Sequence, residues 1–322
     1  MPKNIVVCCD GTGNEFSQNN TNVVRLFEVI KKHPDEQVAY YDPGVGTFGM
    51  QLIGLITGYG ITQNIIDAYE YLMNRYEKDD FVYLFGFSRG AFTVRALAGM
   101  IEKCGLLEKG SGNMIDYAVQ MYKGEDNDAL AADFKKTFSR ECPVYFIGVW
   151  DTVKAVIPFS KIARFQGHRL HDKVKFGIHA LSIDEKRKQY APELWDETKK
   201  AKDQVIEQVW FAGVHSDIGG SYAEPGLADI TLKWMLEHAK TAGLLLNPDA
   251  FDNIHPNHFD LLHDSRAGNG GIWKLFPPKS RKIPEGSKIH SSVFERLQHP
   301  ELIEKGKKEY KPDNLPASRV IV

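Results

Sequence analysis

Short, densely apolar runs alternate along the chain with segments whose apolar positions recur every three or four residues. The runs are "NIVVCCD" (4–10), "EQVAYYDPGVG" (36–46), "DFVYLFGF" (80–87), "CPVYFIGVWD" (142–151), "VKFGIHALS" (174–182) and "DQVIEQVWFAGV" (203–214). Several are apolar at successive positions, which predicts strands buried on both faces. Between them, "NVVRLFEVIKK" (22–32) has helical spacing, with Thr21 placed to cap it. In 62–76, Ile65, Ile66, Tyr69, Leu72 and Met73 share one helical face, and residues 89–103 and 228–243 also read as helices. Buried strands alternating with helices predict an α/β fold: a mostly parallel central sheet with helices on both faces.

One catalytic domain spanning 1–322 is expected, with insertions. Residues 104–141 and 152–173 fit the strand pattern poorly and are candidate caps. Residues 44–62 are rich in glycine and apolar side chains. Their apolar part, from Phe48 to Ile61, is a candidate lid or acyl pocket, with plain packing on the sheet as the competing reading. The region from about 247 is rich in His, Pro and Gly and is expected to be irregular.

Composition adds exclusions. The chain has 322 residues, 43% hydrophobic and 25% charged, with a net charge of −2, so no global field attracts nucleic acid or an anionic membrane. Cys8, Cys9, Cys104 and Cys142 have neither metal-site spacing nor a secreted framework, and are expected to be reduced and buried. The N-terminal residues read as a first strand and not as a signal peptide. No apolar run reaches the roughly 18 residues of a membrane span. A cytoplasmic location is expected, with export by a route that needs no signal peptide left open.

The candidate chemistry begins at Gly86-Phe87-Ser88-Arg89-Gly90, where an apolar strand passes directly into a helix. In a parallel sheet, functional loops sit at the carboxyl ends of the strands. A G-x-S-x-G elbow there holds its serine in a strained turn, with glycines making room on either side. The pattern alone is weak, and a structural turn is the alternative; the strand-then-helix context favours a nucleophile. A serine hydroxyl needs a base. His215, in "WFAGVHSDIGGSY", follows an apolar strand and is the preferred base; His290, in "SKIHSSVFERL", follows a weaker one and is expected to be a surface or supporting residue. Asp151 ends a buried strand and is the preferred acid, with Asp217 as a rival and supporting residue. The amide of Arg89 and those of Gly11 or Thr12, in the loop "CDGTGN" (9–14), are candidate oxyanion donors, and Asp10 is placed to pin that loop.

With these residues placed, the chain resembles the α/β-hydrolase family typified by the catalytic domain of bacterial type VI secretion phospholipase effectors. The likeness is carried in order by "CCDGTGN", "TNVVRLFEVI", "YYDPGVGT", "IIDAYEYL", "LFGFSRGAFTVRAL", "GVWDTV", "HALSIDEKRKQYAPELW", "WFAGVHSDIGGSY", "LADITLKWMLEHA" and "IHSSVFERL". The resemblance implies an esterase or lipase-type acyl hydrolase, with phospholipase A activity in the secreted members. It carries the family's triad onto Ser88, Asp151 and His215, implies an ester or lipid substrate and calls for no cofactor. The chain is expected to be little more than a catalytic core.

Three rival readings compete with this one. "CCDGTG" is similar to the strand end of phosphatases with an aspartyl nucleophile, but Cys8 stands where that nucleophile belongs. His255, His258, His263 and Asp264 in "HPNHFDLLHD" suit no standard zinc spacing. A non-catalytic hydrolase fold that binds a ligand or partner is the alternative from another class; its mark would be a broken triad.

Overall fold

The computed structural model describes residues 2–11, 18–44, 58–124, 127–153, 169–267, 273–298 and 309–322. In chain order the elements are β1 (Asn4–Cys9), α1 (Asn22–Val29), β2 (Gln37–Asp42), α2 (Gly58–Arg75), β3 (Phe81–Phe87), α3 (Arg89–Cys104) and β4 (Leu106–Leu107). Then follow α4 (Ile115–Lys123), α5 (Asp128–Phe138), β5 (Ser139–Arg140), β6 (Val144–Trp150), β7 (Phe176–Ser182) and β8 (Val205–Phe211). The last are α6 (His215–Gly219), α7 (Gly226–Thr241), β9 (Ser287–Ile289), α8 (Ser291–Gln298) and β10 (Arg319–Ile321).

Eight strands form one sheet in the order β10-β9-β8-β7-β6-β3-β1-β2, and every described pairing in it is parallel. The expected α/β architecture is therefore met. Successive side chains of a strand point to opposite faces. On β1, Ile5 and Val7 pack with α2 and α3 residues such as Tyr69 and Leu97, while Val6 and Cys8 pack with α1 and α7 residues such as Leu26 and Leu236. Continuous apolar strands are what two covered faces require. All four cysteines are free and buried. Among the described residues, no helix is long and apolar enough to cross a membrane.

Two sequence expectations change. The described part of 104–141 forms β4, α4, α5 and β5, and its helices pack against α3. Cys104 Sγ donates to the Ala118 carbonyl at 3.3 Å, and Ile115, Val119 and Phe134 join the same cluster as Leu97 and Ile101. The reason is that α3 is buried around most of its circumference, so its outer side needs a second layer. The region from 247 is less irregular than expected. It supplies β9, α8 and β10, and with Leu181, Trp210, Ile289, Val293 and Tyr310 it builds a third apolar cluster at the sheet edge. Of the candidate lid and second cap, residues 45–57 and 154–168 lie outside the described residues.

Candidate active site

Ser88 lies between β3 and α3 with φ 57° and ψ −119°, a backbone state that costs a non-glycine residue about 1–3 kcal/mol. Its amide donates to the Trp150 carbonyl at 3.1 Å, which ties the turn to the end of β6. The two flanking glycines are sterically required. A Cβ on Gly86 would stand 2.5 Å from the Gly90 carbonyl oxygen, and one on Gly90 would stand 2.0 Å from that of Cys9. The turn can therefore press against its own helix and against β1 only without side chains at those positions.

Asp151 follows β6, fully buried, at φ 41°. His215 opens α6, four residues after β8 ends. His215 Nδ1 is 2.6 Å from Asp151 Oδ2, and His215 Nε2 is 2.8 Å from Ser88 Oγ. A hydroxyl, an imidazole and a carboxylate from three strand ends thus form one hydrogen-bonded line. The imidazole is braced by Phe87 and by the edge of Tyr190, with ring centroids at 4.6 and 5.0 Å. Burial pushes the His215 pKa below its ordinary value, and the bond to Asp151 opposes that shift without reversing it.

The sequence reading missed Arg281. Its guanidinium grips Asp151 with both arms, Nη1 to Oδ1 at 2.6 Å and Nη2 to Oδ2 at 2.9 Å. It also donates to the carbonyls of Ser182 and Tyr190 at 3.0 and 2.6 Å. The Ser182 amide adds a bond to Asp151 Oδ1 at 3.0 Å. Burial alone would raise the Asp151 pKa; Arg281 and His215 outweigh it and hold the carboxyl well below the usual carboxylate range. With Asp151 ionised, the His215 proton belongs on Nδ1, leaving the Nε2 lone pair for the Ser88 hydroxyl.

The remaining predicted residues divide. Arg89 opens α3, so its amide belongs to the helix's N-terminal end beside Ser88. Asp10 fastens the loop after β1: its carboxylate accepts from Thr21 Oγ1 at 2.5 Å, Tyr41 Oη at 3.0 Å and the Gly11 amide at 2.6 Å. That last bond engages the N–H of Gly11, one of the two candidate oxyanion donors of this loop. Thr12 lies outside the described residues. Asp217 does not meet His215. It accepts from the Val214 amide at 2.9 Å, closing the first turn of α6, and bonds His263 Nδ1 at 2.6 Å. His290 stacks on Phe211 at 4.6 Å and bonds Ser292 Oγ at 2.8 Å, so it serves the β9–α8 corner and does not support the Ser88 line. The histidines of 255–263 separate: His258 faces Glu295, while His263 lies between Asp217 and Glu224.

Comparison with known proteins places the chain in a family. A family model described as "T6SS, Phospholipase effector Tle1-like, catalytic domain" matches residues 3–238, which include Ser88, Asp151 and His215 but end before Arg281. The "Uncharacterized protein YEL023C" of Saccharomyces cerevisiae is 35% identical over 215 residues, covering 58% of this chain and 31% of that protein. The crystal structure of an uncharacterized protein from Pseudomonas aeruginosa aligns with TM-score 0.54 at 20% identity, covering 80% of this chain and 49% of that one, which shows a shared fold. The Tle1 effector bound to the VgrG spike of the type 6 secretion system aligns at TM-score 0.34 and 16% identity, over 69% of this chain and 51% of that one, too loosely to define a common fold. The chain thus spans less than a third of its yeast relative and about half of each solved chain. By the extent of the family match, which takes in the serine elbow and all three members of the hydrogen-bonded line, the chain belongs to the type VI secretion Tle1-like phospholipase effector catalytic-domain family.

Proposed function

We propose that this protein is a serine carboxylic-ester hydrolase of lipase or phospholipase type, with Ser88 as nucleophile, His215 as general base and acid, and Asp151 as the orienting carboxylate. The observation that carries the reading is the unbroken line from Ser88 Oγ to His215 at 2.8 Å and from His215 to Asp151 at 2.6 Å. Family membership adds the lipid-like character of the ester.

In the proposed reaction His215 Nε2 takes the hydroxyl proton as Ser88 Oγ attacks the ester carbonyl carbon. The carbonyl oxygen gains the negative charge. The Arg89 amide, at the positive end of α3, is one donor to it, and Thr12 is the candidate for the second. Collapse of the tetrahedral intermediate expels the alcohol, which takes its proton from His215, and leaves an acyl-Ser88 ester. Water, deprotonated by the same histidine, releases the acid and restores the hydroxyl. Asp151 stays ionised throughout because Arg281 holds it so. The ion pair lowers the carboxylate's net influence on the imidazolium, so its main contribution is orientation.

The reading is tested by assaying soluble esters of graded chain length beside a phospholipid, for the wild-type protein and Ser88→Ala. Turnover that rises with acyl length and vanishes in the variant supports it. Equal turnover by the two proteins would remove Ser88 from the mechanism.

A further inference from the structure

A path of aromatic rings leads from His215 to the surface. Tyr190 meets the histidine edge-on at 5.0 Å, Trp273 meets Tyr190 at 5.9 Å, and Phe276 lies 6.0 Å from Trp273. The Arg187 guanidinium covers the Tyr190 face at 3.6 Å and is gripped by both carboxylate oxygens of Glu185. The path ends at Leu275 and Phe276, which are 81% and 47% exposed; no other large apolar residue among those described is as exposed as Leu275. The backbone that carries them is anchored. Arg266 donates to the Phe276 carbonyl at 2.9 Å, and the Lys279 amide donates to the Lys186 carbonyl at 2.9 Å.

Lysines surround this apolar tip. Lys274, Lys279 and Lys282 flank it in sequence, the Lys279–Lys186 bond brings the Lys186–Lys188 segment alongside, and all five side chains are exposed. The ion pairs of this corner are Arg187–Glu185 and Arg281–Asp151, which leaves the five lysines outside any ion pair with a described carboxylate. An outward Leu–Phe pair is costly in water. At a lipid interface the same pair enters the acyl layer while ammonium groups meet phosphates, and neither feature alone would select that setting. A nucleic acid would use the lysines but not the exposed leucine.

We infer that the corner formed by Trp273–Lys282 and Lys186–Lys188, joined to His215 through Tyr190, seats the protein on an anionic lipid surface. The net charge of −2 does not oppose this, because charges beyond a Debye length of about 10 Å are screened and the local lysines dominate. The inference deepens the ester-hydrolase reading, but binding to a surface does not depend on turnover, so the two can fail separately.

The test uses Ser88→Ala protein, which leaves vesicles intact, in co-sedimentation with phosphatidylcholine vesicles with and without phosphatidylglycerol. The protein is expected to partition onto the mixed vesicles and to leave them as salt is raised. Leu275→Asp/Phe276→Asp is expected to lower partitioning at least about tenfold, and Lys274→Glu/Lys279→Glu to abolish the preference for anionic lipid. In a background with Ser88 intact, both pairs should keep soluble-ester turnover, which reports an intact fold. Unchanged partitioning of the Leu275/Phe276 variant, or no vesicle binding by the parent, overturns the inference. So does a dimer in gel filtration that Leu275→Asp splits, which would make the patch a protein interface. If the parent binds vesicles but the wild-type protein cleaves no ester, the surface stands and the hydrolase reading falls.

Discussion

The carboxyl ends of β8 and β9 lie side by side in the sheet, and each is followed by a histidine. His215 follows β8 through a short turn and opens α6, where its ring reaches Asp151 and Ser88. His290 follows β9 directly, its amide held by the Trp210 carbonyl at 3.0 Å, and its ring lies flat on Phe211. Burial pushes both rings toward neutrality, His290 to about 4. The difference is the partner: His215 has a carboxylate, and His290 has the hydroxyl of Ser292. A strand end brings a residue to the working edge of a parallel sheet; the turn that follows and the carboxylate within reach decide what it can do there.

The largest expected effect separates these two ends. His215→Ala and Ser88→Ala should each lower kcat by about 10,000-fold or more, as removal of members of such a unit does. His290→Ala should leave kcat within about threefold, since no part of the Ser88 line touches it, and should cost only about 1 kcal/mol in a urea melt through lost ring packing. A large kcat loss in His290→Ala would collapse the distinction.

Arg281 sharpens the comparison further, because it is what makes the β6 end a carboxylate site. Arg281→Met leaves a fully buried carboxylate without its main partner and should destabilise the fold by about 3 kcal/mol. Asp151 is held below its ordinary range in the folded protein. Its contribution to stability is therefore complete above about pH 4 and is lost as the pH falls below that. Denaturation curves at pH 6 and pH 3 should show that acid-dependent part in the wild-type protein and a smaller one in Arg281→Met. A positioning role also predicts a fall in kcat with little change in KM, partly restored by Arg281→Lys.

The pH profile gives the smallest effect. His215 must be neutral to act as base, and burial holds its pKa low, so activity should fall with acid only below the ordinary histidine value of about 6.5. A limb centred above that value would mean that Asp151 outweighs burial.

Much of the fold was legible because the strands are apolar at successive positions, a pattern that only a sheet covered on both faces sustains. Ser88, Asp151 and His215 each sit one to four residues past such a run, which is why pattern alone could nominate them. Arg281 had no such marker. It lies 130 residues from Asp151 in the chain, in "PPKSRKIP", where nothing periodic sets it apart from the lysines beside it. Gly11 shows a different limit: its amide lies at the expected strand end, and the side chain one residue before it accepts its hydrogen bond. Local competition of that kind depends on side-chain geometry and leaves no trace in spacing.

The most direct test of the central claim is covalent labelling with a fluorophosphonate, read by intact mass and peptide mapping. One adduct on the peptide containing Ser88, absent in Ser88→Ala and strongly slowed in His215→Ala but not in His290→Ala, is the predicted result. A folded wild-type protein that stays unlabelled, or a Ser88→Ala protein that labels as well as the parent, would contradict it.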